Sequence, residues 1–267
     1  VGTAGIQGTL WGARPRDWAE IQEPTWLPIY EAILDKMDVG AGTRLLDVGC
    51  GAGAALVAAQ RRGADVTGLD AATTLVAIAR ERLPASRIEV GEMEELPFGD
   101  QTFDVVTSFN AFQFAGDLRG ALREAGRVCR PGGRVAMLVW GLKDDCDLSR
   151  AVFPEIMALV PPPPPQPAAA AGPPLAAPGT IEMHLEAVGL RIVASDHVDC
   201  EFVYPSPATA WRALASAGGI VRVIQQVGED RVRSAVISTL APFTRGDNAV
   251  VLRNRFRWVA GTPQLNL

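Results

Sequence analysis

The chain has 267 residues, 48% of them hydrophobic, and a formal net charge of −5. That is enough apolar mass for one α/β domain with a sizeable core and room for a small appendage. The acidic balance argues against a nucleic-acid backbone as the main partner. No run of about 18 uncharged apolar residues marks a membrane span, and the four cysteines (Cys50, Cys129, Cys146, Cys200) stand far apart with no CxxC pair to signal a metal or redox centre.

The first segment, VGTAGIQGTLWGARPRDW, has no basic start followed by an apolar block, so no signal peptide is expected and a reducing cytoplasm is the expected compartment. Residues 1–43 show no strand signal. Trp18, Trp26, Ile29, Ile33, Leu34 and Met37 recur at helical intervals, and Pro24 and Pro28 predict two short helices with a break. A regular alternation follows. RLLDV (44–48) reads as a strand, AALVAAQRR (54–62) as a helix and ADVTGLD (64–70) as a strand. TLVAIARERL (74–83) has an apolar stripe of Leu75, Ile78, Ala79 and Leu83. RIEV (87–90) and FDVVTSF (103–109) are strands, and residues 117–130 form an amphipathic helix with Leu118, Ala121, Leu122, Ala125 and Val128 on one face. RVAMLVW (134–140) is a fifth strand after a PGG turn. Short, valine-rich strands alternating with helices predict a parallel sheet covered on both faces.

Residues 160–179 hold nine prolines and predict an extended spacer or mobile loop rather than a packed element. A helix over 180–190 stops at Gly189, a strand is predicted over 191–202, and residues 205–243 read as helical pieces. The last strand, 249–261, alternates strictly. Leu252, Asn254, Phe256 and Trp258 share one face; Arg253, Arg255 and Arg257 share the other, which reads as a solvated face, the alternative being an anion-binding stripe. The chain thus divides into a helical segment at 1–43, a ligand-binding core at 44–141, and 142–267, which completes the sheet and carries the proline-rich loop (160–179) and a helical cap (205–243).

The chemistry centres on RLLDVGCGAG, Arg44 to Gly53. A glycine-rich turn between a strand and a helix lets a ligand approach the backbone, and the helix N-terminus offers free N–H groups. Gly49 to Ala54 can be written GxGxxA, a dinucleotide pattern, so the loop alone does not choose its ligand. Its neighbours do. Asp47 would repel a pyrophosphate lying on the turn but suits an ammonium group. Asp70 ends the second strand, where a carboxylate can take both ribose hydroxyls. Glu92, after the third strand, is placed to accept from an exocyclic amine. An amino group, a ribose and an adenine on one ligand would use all three.

LLDVGCGAG, VTGLD, GEMEELPFGDQTFDVVTS and RVCRPGGRVAMLVW together resemble the class I S-adenosylmethionine-dependent methyltransferases, and look closest to the small-molecule group typified by ubiquinone and menaquinone biosynthesis. The resemblance spans about residues 40–141. It implies a Rossmann-like, doubly wound, mostly parallel seven-stranded α/β sheet with an antiparallel last strand, helices on both faces and helical cap insertions. It implies S-adenosyl-L-methionine as cofactor, S-adenosyl-L-homocysteine as product and no metal. By the same resemblance, Asp47, Gly49, Cys50 and Gly51 would lie along the methionine part, Asp70 at the ribose and Ala71 beside the adenine. Glu92 and the Met93 N–H would read the adenine, although the family more often carries Asp followed by a small residue here. Asn110 would sit near the methionine end, with Phe112 and Gln113 toward the acceptor. Gly53 reads either as part of the ligand bed or as a close helix contact. Trp11, Trp18 and Tyr30 read as a lid, since the family closes its site with N-terminal helices.

Methyl transfer from a sulfonium needs an in-line acceptor more than a catalytic residue. The two histidines are the candidate general bases: His184 in a helix placed to face the site, and His197 in a strand, where a structural role is favoured. Trp11, Phe153, Met157, Trp211 and Ile224 are expected to wall a pocket for an apolar or aromatic small-molecule acceptor, donated to by the N-terminal segment, the proline-rich loop and the helical cap. The acceptor, the atom methylated and the oligomeric state stay open. The rival readings are a nicotinamide-dependent oxidoreductase, against which Asp47 and EELPF argue, and a non-catalytic cofactor-binding module. An RNA methyltransferase is disfavoured by the acidic charge and the lack of an NPPY-type motif.

Overall fold

The valine-rich runs form the strands their pattern predicts, and a computed structural model describes residues 2–161 and 173–264. The strands are β1 (Arg44–Val48), β2 (Asp65–Asp70), β3 (Arg87–Val90), β4 (Phe103–Phe109), β5 (Cys129–Trp140), β6 (Leu190–Tyr204) and β7 (Val250–Pro263). They form one sheet in the order β3-β2-β1-β4-β5-β7-β6. The first five pair in parallel, and β7 runs antiparallel to both β5 and β6. β5 begins five residues earlier than its apolar run, because its pairing with β4 shifts between Phe103 and Val105 and absorbs the PGG turn as an irregularity.

β7 lies inside the sheet, which corrects the expected solvated arginine ladder. Arg253 and Arg255 are exposed, but each meets a carboxylate across the strand pair, Glu201 at 3.2 Å and Asp199 at 2.6 Å. Arg257 is buried and pairs with Glu182. The helix Thr180–Glu186 covers that position, so the third rung is shielded from water.

Helices α1 (Ala4–Trp11), α2 (Pro15–Asp17) and α3 (Leu27–Lys36) precede the sheet. α1 has no apolar periodicity; glycines stand at 2, 5, 8 and 12, and Leu10 is its buried residue. A π-helical turn (Trp18–Gln22) and a 3-10 turn (Glu23–Trp26) link α2 to α3, so the expected break is a change of winding instead. Pro24 and Pro28 both occupy first-turn positions, where the missing N–H costs nothing. α4 (Ala54–Arg61), α5 (Thr73–Arg82) and α6 (Leu118–Val128) alternate with the strands. α7 (Phe153–Met157), α8 (Thr180–Glu186), α9 (Pro207–Ala215), α10 (Gly218–Val227) and α11 (Glu229–Leu240) complete the chain.

Two apolar cores flank the sheet. One joins α3, α4 and the 207–240 helices; the other joins α6, α8 and the opposite faces of β1, β4 and β5. Of the proline-rich stretch, residues 162–172 lie outside the described residues. Its far end is packed, contrary to expectation: Ala176 is buried in the α6–α8 core. Among the described residues no helix is long and apolar enough to cross a membrane.

Candidate functional site

The strand order reverses at β1, and open α/β sheets hold ligands in the crevice beyond the carboxyl ends at such a point. A cleft lies there, over the β1–α4 loop. That loop is tied to the end of β2, since the Gly49 and Cys50 N–H groups both donate to the Leu69 carbonyl (2.7 and 3.0 Å). Gly53 does not line the cleft. Its φ is +86°, and a side chain there would press on Ala79 of α5, so close helix packing is what requires the glycine.

Asp47 lies beneath the loop at 1% exposure. Thr107, its register neighbour on β4, donates Oγ1 to Asp47 Oδ1 at 2.8 Å. Burial pushes the Asp47 carboxyl up to about 7; the Thr107 bond opposes this, and the charges of Asp70 and Glu23 add to it. Asp70 lines the cleft. Its Oδ2 accepts from the Gly51 N–H and its Oδ1 from the Ala72 N–H, both at 2.8 Å. Burial raises its pKa, and these amide bonds restrain the rise.

Glu92 also lines the cleft, and Ala71, Leu75 and Met93 supply apolar surface beside it. Glu92 Oε1 accepts from the Met93 N–H (3.0 Å) and Oε2 from the N–H of Ala4, the first residue of α1 (2.9 Å). The Met93 N–H expected to meet an adenine nitrogen is thus turned to the neighbouring carboxylate. Asn110 lines the cleft with φ +60°, and its Oδ1 accepts from Gln113 Nε2 at 2.8 Å.

α1 lies over the cleft. Thr3, Ala4, Gln7 and Trp11 form the stripe that faces in, and Trp11 meets Trp18 and Phe114 edge-on, with centroids 5.0 and 5.5 Å apart. Thr3 donates to the Phe114 carbonyl (2.6 Å) and Thr74 to the Gly12 carbonyl (2.8 Å). Trp18, Trp26, Tyr30 and Phe109 line the cleft as well. The indole N–H groups of Trp18 and Trp26 are buried with no partner among the described residues.

Several expected site residues lie elsewhere. Cys50 turns its buried thiol away from the cleft under Gly68, and burial holds that thiol well above its ordinary range. Phe112, 1% exposed, packs into the α6–α8 core; Phe114, two residues on, is the ring at the cleft. Gln113 bonds Asn110 instead of lining the cleft. Trp211 is buried in the α3–cap core, Ile224 and Phe153 pack against it, and Met157 is exposed, so of the five expected pocket walls only Trp11 lines this cleft. His184 is on α8, where Arg119 Nε donates to its Nδ1 at 3.4 Å. Partial burial, with Arg119 beside it, lowers its pKa. If the reaction is methyl transfer, His184→Ala is expected to leave its rate and pH profile unchanged, measured by product formation across the neutral range; a lost acid limb would return it to the site.

Glu23 escapes sequence reasoning. It is 2% exposed, and its Oε1 accepts from the Ala52 N–H at 2.9 Å. Arg82 Nη1 donates to Oε2 at 2.5 Å. Burial raises the Glu23 pKa, and Arg82 and the backbone amides of the loop pull it down. Arg82 also donates to the Ala52 and Ala19 carbonyls (2.8 and 2.7 Å), so the pair pins the N-terminal segment to the loop. No local pattern announces a contact across 29 residues to Ala52. A glutamate between two tryptophans, just ahead of a helix, is the one available hint.

Comparison with known proteins agrees with this geometry. Residues 46–137 match the family model described as a methyltransferase domain. The chain is 34% identical over 125 residues to the methyltransferase GfsG of Streptomyces halstedii, covering 43% of this chain and 45% of that protein. It is 36% identical over 121 residues to a malonyl-[acyl-carrier protein] O-methyltransferase of Pectobacterium atrosepticum, covering 45% and 48%. The chain spans about half the length of the curated relatives it matches. In fold it is similar to YcgJ of Bacillus subtilis (TM-score 0.55, 19% identity, 89% of this chain and 98% of that one). It is equally similar to the [4+2]-cyclase SpnF (TM-score 0.56, 17% identity, 89% and 81%), a reminder that this architecture does not by itself name a reaction. Residues 46–137 thus match a methyltransferase domain, and the order of the sheet with the glycine loop at the switch point is that of the Rossmann-like methyltransferase fold.

Proposed function

We propose that the protein transfers a methyl group from S-adenosylmethionine to oxygen, nitrogen or carbon of a small-molecule acceptor. The observation that carries this reading is the charge around the loop. Asp47 lies beneath it, Asp70 and Glu92 line the cleft, and among the described residues no lysine or arginine does. Such a site favours a ligand that brings its own positive charge and its own N–H and O–H donors.

The residues present fit that cofactor. Asp47 would hold the ammonium, Asp70 the ribose hydroxyls and Glu92 the adenine amine. The partnerless indole N–H groups of Trp18 and Trp26 suit a carboxylate. When bound, the cofactor supplies a methyl carbon to the acceptor's electron pair, and the carbon–sulfur bond breaks with its electrons to sulfur, leaving S-adenosylhomocysteine. The chain's own part is to hold the acceptor in line and keep water out, which Trp11, Trp18 and Phe114 are placed to do. Neither histidine lines the cleft, and burial lifts the Tyr30 phenol well above its usual range, so the side chains here position rather than move protons.

The aromatic walls support a flat or apolar acceptor, and the relatives named above support one from secondary metabolism or cofactor biosynthesis. The net charge of −5 speaks against a nucleic-acid acceptor. The four free cysteines fit a reducing cytoplasm. Calorimetry with S-adenosylhomocysteine against NADH, followed by labelled-methyl assays over phenols, amines and quinol-like acceptors, tests the reading; binding of NADH alone would sink it. Asp70→Asn turns an amide NH2 toward backbone N–H donors. It is expected to weaken S-adenosylhomocysteine by roughly tenfold to a hundredfold in the same titration.

A further inference from the structure

We propose that Glu23 is a specificity-determining residue: its carboxylate fills the anion site at the N-terminus of α4 and bars phosphate-bearing cofactors from a loop that would otherwise take them. The inference rests on the S-adenosylmethionine reading of the cleft and goes beyond it by naming what excludes the rival ligands.

Gly49 to Ala54 spells GxGxxA, and loops of that spelling seat a pyrophosphate on the free N–H groups that open the next helix. Here those groups are already taken. The Gly51 N–H is held by Asp70 and the Ala52 N–H by the Glu23 carboxylate, where the Arg82 guanidinium completes the donor set. A backbone amide at a helix start and a guanidinium converging on one buried anion are what a phosphate site is built from. The anion is supplied by the chain itself, from a turn 29 residues before Ala52. It sits directly behind the ligand bed, with Glu23 Oε1 3.1 Å from where a Cβ on Gly51 would be. A phosphate reaching this point would meet Glu23, Asp47 and Asp70 with Arg82 already neutralised. The two turns that link α2 to α3 carry Glu23, Trp18 and Trp26, so the segment that closes the phosphate site also supplies two tryptophans to the cleft wall.

The test uses ADP, which shares adenosine with S-adenosylmethionine and differs in its tail. Calorimetry on the full chain is expected to show S-adenosylhomocysteine binding and no ADP binding. Glu23→Ala is expected to bind ADP at least about tenfold more tightly than the unaltered chain, a gain of about 1.4 kcal/mol, and to lose that gain when Arg82→Ala is added. Acetate, standing in for the missing carboxylate, should compete with ADP and raise the thermal midpoint of Glu23→Ala. If Glu23→Ala does not fold, Glu23→Gln carries the test. Its unpaired Arg82 should make inorganic pyrophosphate raise the midpoint, which the unaltered chain does not show. A folded variant with unchanged ADP affinity and no response to acetate or pyrophosphate overturns the proposal. An unaltered chain that fails to bind S-adenosylhomocysteine overturns the underlying cofactor reading instead, so the two failures are told apart.

Discussion

Replacing Gly49 with alanine is expected to abolish S-adenosylhomocysteine binding and to lower stability by about 3 kcal/mol. Gly49 has φ +81°, a conformation that disfavours any side chain. The added Cβ would also land under 3.0 Å from the Cβ of Ala111. Neither side can yield cheaply. The Gly49 N–H is bonded to Leu69, and Ala111 follows Asn110, whose own positive φ is held by an N–H bond to Leu138 at 2.9 Å. Relief of the clash would push the loop off β2 or swing Asn110 out of the cleft wall. Thermal melting and calorimetry read the two effects separately. An unchanged midpoint with binding within tenfold would show that the loop is not the ligand bed.

Cofactor affinity is expected to fall by about tenfold per pH unit below about 7, and Asp47→Asn should remove that slope while weakening binding on the order of a hundredfold at mildly alkaline pH. The sign follows from the direction of the shift. With its pKa raised to about 7 by burial, the ligand-free fold keeps Asp47 protonated where the unfolded chain would have ionised it. The stability contributed by the neutral form is complete below the ordinary carboxylate range and is lost as pH rises through about 7. A bound ammonium reverses the preference, so binding below that point must release a proton. Glu23 and Asp70 are raised as well, but Arg82 and backbone amides answer those two, and Asp47→Asn isolates the third. Titration in buffers of different ionisation enthalpy measures the released proton directly. A flat profile in the unaltered chain would place the ligand's cation elsewhere.

The strands of the core were legible because a sheet buried on both faces needs unbroken apolar runs. β1, β3 and β4 have the bounds that RLLDV, RIEV and FDVVTSF mark out. Asp47, Asp70 and Glu92 could be singled out because a carboxylate at the end of such a run has no packing reason to be there. What stayed hidden depended on path rather than composition. Phe112 and Phe114 are identical residues in one short 3-10 turn, and only the direction of that turn sends the first into the core and the second to the cleft. Arg257 continues the alternation of Arg253 and Arg255, and only α8, arriving from a distant part of the chain, decides that it is buried. Trp211 looked like a pocket wall because large aromatic residues serve both purposes, and the cap needed a core of its own. Glu23 is the extreme case: its partners Ala52 and Arg82 belong to a loop and a helix that local pattern cannot bring to it.

The short helix above the cleft has a kinetic meaning. With Gly5 and Gly8 inside it and Gly2 and Gly12 at its flanks, α1 starts with a handicap of roughly 1 kcal/mol for each internal glycine. Eight residues are also too few to hold a helix alone. What keeps it in place is borrowed: the Glu92 carboxylate on Ala4, the hydroxyls of Thr3 and Thr74, and the Arg14–Glu229 ion pair at 2.7 Å near its end. That ion pair lies in water, where dissolved salt weakens it. Such a roof is expected to open locally at less cost than any strand, while the ends of β1, β2 and β4 beneath the cleft stay folded. Exchange of a ligand in the cleft is then expected to run through the fraying and re-forming of one weak helix and to quicken with ionic strength, a rate set apart from the strength of binding.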